Sequence, residues 1–127
     1  MILIDSSGWI EFFSDGKNAD KYPEYVLSAK KETHITSSVI IYEVFKCIKS
    51  VFNDEKAIQA IASILGNTTL VAIDDVLAIA AADISITHQL GMADATIKAT
   101  ADRYHAKIIT SDGDFQEFSS VVFIAKR

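Results

Sequence analysis

A chain of 127 residues, half of them apolar, with five glycines and one proline, is enough for one packed domain and excludes a disordered or linker-rich architecture. A single cysteine, Cys47, excludes an internal disulfide and a thiolate metal pair. The net charge of −5, from 17 acids against 12 bases, argues against a general nucleic-acid binder, whose affinity rests on basic surface.

In chain order, Met1 to Ile4 reads as a short buried strand and Ser6 to Phe13 as the first helix. The apolar run Ile2-Leu3-Ile4 stops at Asp5, too short for a signal peptide or a membrane span, so a soluble cytoplasmic protein is expected. Ser14 to Asn18 is a loop by its turn residues, and Asn18 is placed to cap a helix running to about Lys31, with Pro23 in its first turn. Thr33 to Thr36 forms a second strand, followed by a helix capped by Ser37 or Ser38 and running through Phe52. Asn53-Asp54 opens another helix, closed by Gly66-Asn67.

Thr68 to Ile73 alternates as a strand, Asp74-Asp75 caps a helix over Val76 to Leu90, and Gly91 separates it from a helix over Asp94 to His105. Ala106 to Thr110 is a strand, Ser111 to Asp114 a turn, and Val121 to Ile124 the last strand. Strands filled with Val and Ile and alternating with helices predict one α/β domain over 1–127, with a central, mostly parallel sheet and helices on both faces. Ligand sites in such sheets lie beyond the carboxyl ends of the strands.

Four carboxylates then become of interest together. Asp5 follows the first strand directly, Asp112 follows the Lys107 to Thr110 strand after one residue, Asp94 starts a helix, and Glu43 lies in the second turn of its own. If the two strands are neighbours, Asp5 and Asp112 share one rim. Each acid also has a plainer reading: Asp5 and Asp94 as helix caps, Asp112 as a turn former, Glu43 as a solvated helical residue. Glu43 stands at the edge of the polar arc Glu43, Lys46, Lys49, Ser50 on a helix that is otherwise largely apolar. That excess of apolar surface hints at a partner face. Hard oxygen ligands of this kind suit Mg²⁺ or Mn²⁺, and no His or Cys spacing suggests zinc. Setting aside these four and Asp114 leaves twelve acids against twelve bases, so the net charge is the size expected of one acidic pocket on a balanced surface.

Four motifs carry a resemblance. Ile-Leu-Ile-Asp-Ser-Ser-Gly-Trp-Ile-Glu at 2–11, Ser-Val-Ile-Ile-Tyr-Glu at 38–43, Ala-Asp-Ala-Thr-Ile-Lys-Ala-Thr-Ala at 93–101 and Ile-Thr-Ser-Asp-Gly-Asp-Phe at 109–115 stand in the order of the acidic motifs of the PIN-domain family. The resemblance spans essentially the whole chain, and the size looks most like the toxin of a VapBC-type toxin–antitoxin pair. It implies a Mg²⁺- or Mn²⁺-dependent endoribonuclease that hydrolyses RNA phosphodiester bonds with metal-activated water, is held inactive by a cognate antitoxin protein, and forms a homodimer. Carried over by motif, Asp5 and Asp94 are the principal metal ligands, and Asp112 and Glu43 complete the catalytic set. Thr110, with Ser111, orients the carboxylates, and Asp114 matches a less constant acid whose role is left open.

Lys46 and Lys98 share helix faces with Glu43 and Asp94, which suits either a helix ion pair or phosphate positioning. Trp9, Phe12 and Phe13 fit the core, Phe115 an anchor for the turn after Asp112, and Asp74-Asp75 a helix cap. A phosphoacceptor receiver domain is excluded by the lone Asp5 where an acidic pair is needed, and an Asp-x-Asp phosphatase by Ser7 in the place of the second Asp. The remaining alternative is a catalytically inactive relative that binds RNA or protein. A nuclease for flap or single-stranded DNA lacks the insertions needed to thread a strand.

Overall fold

The computed structural model describes residues 1–126. Five strands, β1 (Ile2–Ile4), β2 (His34–Ser37), β3 (Thr69–Val71), β4 (Lys107–Thr110) and β5 (Val121–Phe123), form one sheet in the order β3-β2-β1-β4-β5. Every pairing is parallel, so the expected mostly parallel sheet is parallel throughout. Six α-helices cover it: α1 (Ser6–Ser14), α2 (Pro23–Val26), α3 (Ser38–Val51), α4 (Asp54–Asn67), α5 (Asp75–His88) and α6 (Met92–Arg103). Single 3-10 turns stand at Ala19–Lys21 and Gly113–Phe115.

Local chemistry sets most of the boundaries. The side chains of Ser37, Asn53 and Asp74 accept from backbone N–H groups in the first turns of α3, α4 and α5, which would otherwise be unsatisfied. Asp74 also receives a two-pronged ion pair from Arg103, at 3.0 and 3.1 Å, tying the start of α5 to the end of α6. The core runs along the central strands and their covering helices, with Leu3, Ile35, Ile108 and Ile109 from the sheet against Trp9, Ile40, Val44, Ile64, Leu77 and Ile97. No single helix among the described residues is long and apolar enough to cross a membrane.

One expected element differs. The helix expected from Asn18 to about Lys31 is broken into the 3-10 turn at Ala19–Lys21, the single turn α2, and a string of further turns. Pro23 has no N–H and starts α2 at its first position, so no helical ladder runs through it. Beyond it, the Ser28 hydroxyl takes the Glu24 and Tyr25 carbonyls, and His34 Nε2 donates to Tyr25 O at 3.0 Å. These bonds compete with helix propagation and bring the chain round into β2.

Candidate metal centre

β1 lies at the middle of the sheet, with β2 on one side and β4 on the other: the chain runs outward from β1 through β2 to β3, then crosses back over β1 to continue outward through β4 and β5. This is the switch point at which parallel sheets open a crevice at their carboxyl ends. Ile4 is paired with Ile109, and Asp5 N donates to Ile109 O at 2.9 Å. Asp5 and the turn after Thr110 therefore share one rim, the condition on which the sequence reading of these two acids depended.

Asp5 ends β1 as the N-cap of α1. It is buried, and each of its oxygens has protein donors. Oδ1 accepts from Ser6 N at 2.8 Å, and Oδ2 accepts from the Thr110 hydroxyl at 2.7 Å and the Ser7 hydroxyl at 3.3 Å. Capping and participation in an acidic cluster are thus compatible. Burial nonetheless pushes the Asp5 carboxyl above its ordinary value, with Asp112 adding to the rise and the hydroxyl and amide donors opposing it. Thr110 accepts from Asp112 N at 2.9 Å, so one hydroxyl fixes both the carboxylate on β1 and the turn leaving β4.

Asp94 sits in the first turn of α6, half-buried, where the helix N-terminus favours negative charge. Asp112 caps the Gly113–Phe115 turn by accepting from Asp114 N, and fully buried Phe115 anchors that turn to the core. One carboxylate oxygen each from Asp94, Asp112 and Asp114 lie within 4.8 Å of one another. Asp114, whose role the sequence left open, is therefore part of the tightest group of acids. Desolvation, then repulsion from Asp112, Asp5 and Asp114, raises Asp94 from 3.8 to about 7. Glu43, from the second turn of α3, is half-buried. Its carboxyl is raised mainly by burial, with Asp5 and Asp112 contributing.

The structure thus brings Asp5, Glu43, Asp94, Asp112 and Asp114 to one place from three elements and a turn, with Thr110 beneath them. Sequence reasoning passed over Ser6 and Ser7 as functional groups. The signal was their position directly after Asp5, where hydroxyls one and two residues on can reach strand-end carboxylates. Lys98 is not turned to the cluster: its ammonium pairs with Asp102 one turn further along α6 and lies 4.8 Å from the Phe118 ring centre. It therefore has partners of its own that leave it away from a phosphate-positioning role. Lys46 lies over the Tyr42 ring of its own helix.

The donor set can be tested against a hard cation. Every candidate ligand atom is a carboxylate oxygen, and the charge they share is uncompensated enough that Asp94 retains its proton near neutrality. The oxygen spacing is within a small side-chain adjustment of what ligation at roughly 2.1 Å requires for Mg²⁺. The residues fit.

Comparison with known proteins identifies the family and the fold. The PIN domain family model matches residues 2–121. The chain belongs to the PIN domain family. Among solved structures, this PIN domain resembles VapC20 of Mycobacterium tuberculosis, a sarcin–ricin-loop-cleaving toxin. The TM-score is 0.80 at 19% identity, over 100% of this chain and 99% of that one. A toxin–antitoxin complex from Klebsiella pneumoniae gives a TM-score of 0.77 at 21% identity, covering 96% of each chain. FitAcB of Neisseria gonorrhoeae gives 0.71 at 22% identity, covering 98% of this chain and 97% of that one. At these identities the likeness is one of fold. Comparison with curated protein sequences finds no match.

Proposed function

We propose that this PIN domain is a divalent-metal-dependent endoribonuclease, the toxin of a toxin–antitoxin pair, and that Asp5, Glu43, Asp94, Asp112 and Asp114 form its metal and catalytic site. The observation that carries the proposal is the gathering of five acids at the sheet's switch point, with Asp94 raised to about 7 by desolvation and by its neighbours. A folded protein gains nothing from such repulsion unless a cation occupies the cluster. When bound, Mg²⁺ or Mn²⁺ would offset that repulsion, lower the pKa of a coordinated water and polarise a scissile phosphate.

The chain's own residues have separate tasks in this reading. Asp94, Asp112 and Asp114 offer the open oxygens. Asp5, with its carboxylate pinned by Thr110, Ser7 and Ser6, gives the cluster a fixed reference on the rigid middle strand. Glu43 faces the same charge from α3 and can accept a proton there. The toxin assignment is supported by the fold shared with the toxin–antitoxin structures and by the match of chain lengths.

The same reading proposes a cognate antitoxin and a second copy of this chain as protein partners, with RNA as substrate. A homodimer is supported by exposed Val76, Ile79 and Ile86 on α5, and by an apolar groove of ≈ 360 Å³ lined by Val39, Ile73, Ala81, Met92 and Ala95. The excess apolar surface expected on α3 is smaller, centred on Tyr42 and Val51.

The test is incubation of antitoxin-free protein with structured and single-stranded RNA in Mg²⁺, Mn²⁺ or EDTA, beside Asp94→Asn. Cleavage that needs metal and is lost in the variant is the expected result. Cleavage in EDTA, or full activity of Asp94→Asn, overturns the mechanism. Failure both to cleave and to bind metal would make this PIN domain a binding module instead.

A further inference from the structure

Beneath the acidic cluster lies a chain of hydroxyls that ends on a residue outside all four acidic motifs. Tyr22 sits at the junction between the Ala19–Lys21 turn and α2, with its ring fully buried. Its hydroxyl bonds the Ser111 hydroxyl. Ser111 N donates to Ser7 Oγ at 3.2 Å, and Ser7 donates to Asp5 Oδ2. Thr110 and Ser7 each spend their one proton on Asp5 Oδ2, so the 3.4 Å approach of the two hydroxyl oxygens carries no proton of its own.

Proton counting gives these bonds a common direction. Because a carboxylate only accepts, the Ser7 proton points at Asp5, and the Ser7 oxygen is left to accept from Ser111 N. Tyr22 and Ser111 share one hydroxyl bond, so the connection from Tyr22 runs through Ser111 and Ser7 and ends on Asp5. A phenylalanine would fill the same volume without the cost of burying a hydroxyl, so the hydroxyl is explained by its bonds. Gly8 is what lets the ring in: a Cβ there would fall 2.6 Å from Tyr22 Cε1.

We propose that Tyr22 is a positioning residue for the acidic cluster: through Ser7 it sets the Asp5 carboxylate, and through Ser111 it sets the backbone from which Asp112 projects. The proposal rests on the metal-site reading above. It differs from a merely structural role, in which the Tyr22 hydroxyl would only pin the segment between α1 and β2 to the end of β4.

The test is Mn²⁺ affinity of the full chain, read from the free-ion electron paramagnetic resonance signal, for wild type, Tyr22→Phe, Ser7→Ala and the double variant. Tyr22→Phe is expected to weaken Mn²⁺ binding about tenfold, the lower end of what hydrogen-bond partners of metal ligands contribute. The double variant is expected to lose less affinity than the product of the two single losses, since Tyr22 acts in part through Ser7. Wild-type affinity in Tyr22→Phe, with or without a lowered melting temperature, overturns the proposal, as does a double variant whose loss is the product of the two single losses. Should Tyr22→Phe fail to fold, Ser111→Ala removes the same bond from its other end, and wild-type affinity there is equally decisive against it. A wild-type protein that binds no Mn²⁺ overturns instead the metal-site reading beneath the proposal.

Discussion

At the carboxyl ends of β1 and β4, burial and then the gathering of like charges raise Asp94 to about 7, while on the outer face of α5, Val76, Ile79 and Ile86 turn apolar side chains to solvent. The first region concentrates what a fold ordinarily disperses, and the second exposes what it ordinarily buries. Neither is stabilised by the chain alone. In the function proposed above, each is accounted for by something outside it: a cation in one case, an apolar surface in the other. The two regions differ in their supporting structure. The rim is braced by buried hydroxyls, caps and a central strand, whereas the α5 face has only its own helix and the α6 contact behind it. Local departures from folding consistency of this kind are where function is expected.

The comparison can be broken most sharply at the rim. Asp94→Asn and Asp112→Asn are expected to lower metal-dependent RNA cleavage by more than about 100-fold, beyond the effect typical of residues that only support ligands; activity within a few-fold of wild type would remove these acids from the site. A cation should also stabilise the fold. At 100 times its dissociation constant, Mn²⁺ is expected to add about 2.7 kcal/mol, read as a rise in melting temperature that Asp94→Asn abolishes.

Metal-free protein should show the opposite of the usual acid sensitivity. The Asp94 pKa is raised from 3.8 in an unperturbed chain to about 7 in the fold, so the folded state holds the extra proton between those values. Stability contributed by Asp94 is therefore present below about 4 and is lost as pH rises through 7. Allowing for the partial exposure of Asp94, melting in EDTA is expected to show a loss of on the order of 1–2 kcal/mol between pH 4.5 and pH 8. Flat stability over that range would mean that the acids do not repel as their geometry requires. In the same metal-free conditions, Asp94→Asn should be the more stable protein at pH 8, by about 1 kcal/mol, reversing its functional rank.

The smallest energetic effect belongs to α5. Ile79→Glu or Ile86→Glu should change monomer stability by no more than about 0.5 kcal/mol, because both side chains are exposed. If a second copy covers this face, the same substitutions should shift the species seen by light scattering from dimer to monomer. An unchanged dimer would move the interface elsewhere.

Element boundaries were largely legible because their signals are local: Ser37, Asn53 and Asp74 are caps in the sequence and caps in the fold. The segment after Asn18 was not, because its helical composition competes with Pro23, the Ser28 hydroxyl and a histidine arriving from β2. Asp5, Glu43, Asp94 and Asp112 could be nominated from their places at strand and helix ends, but each had an equally good local explanation, and Asp5 indeed is a cap. Asp114 could not be ranked, since its inclusion depends on where α6 points Asp94. Lys98 shows the converse: shared spacing with Asp94 suggested a pair, and the ammonium turned to Asp102 and Phe118 instead.

By itself the sequence determined that this chain is one α/β domain with acids at the ends of its strands and helices, because periodicity, caps and turn residues act over a few positions. Only the tertiary structure decided that β1 lies between β2 and β4, that acids from three elements and a turn meet there, and that Tyr22 lies beneath them. Those outcomes depend on pairings across about a hundred residues of chain, between Asp5 and Thr110 or Tyr22 and Ser111, and local propensity carries no information about contacts at that separation.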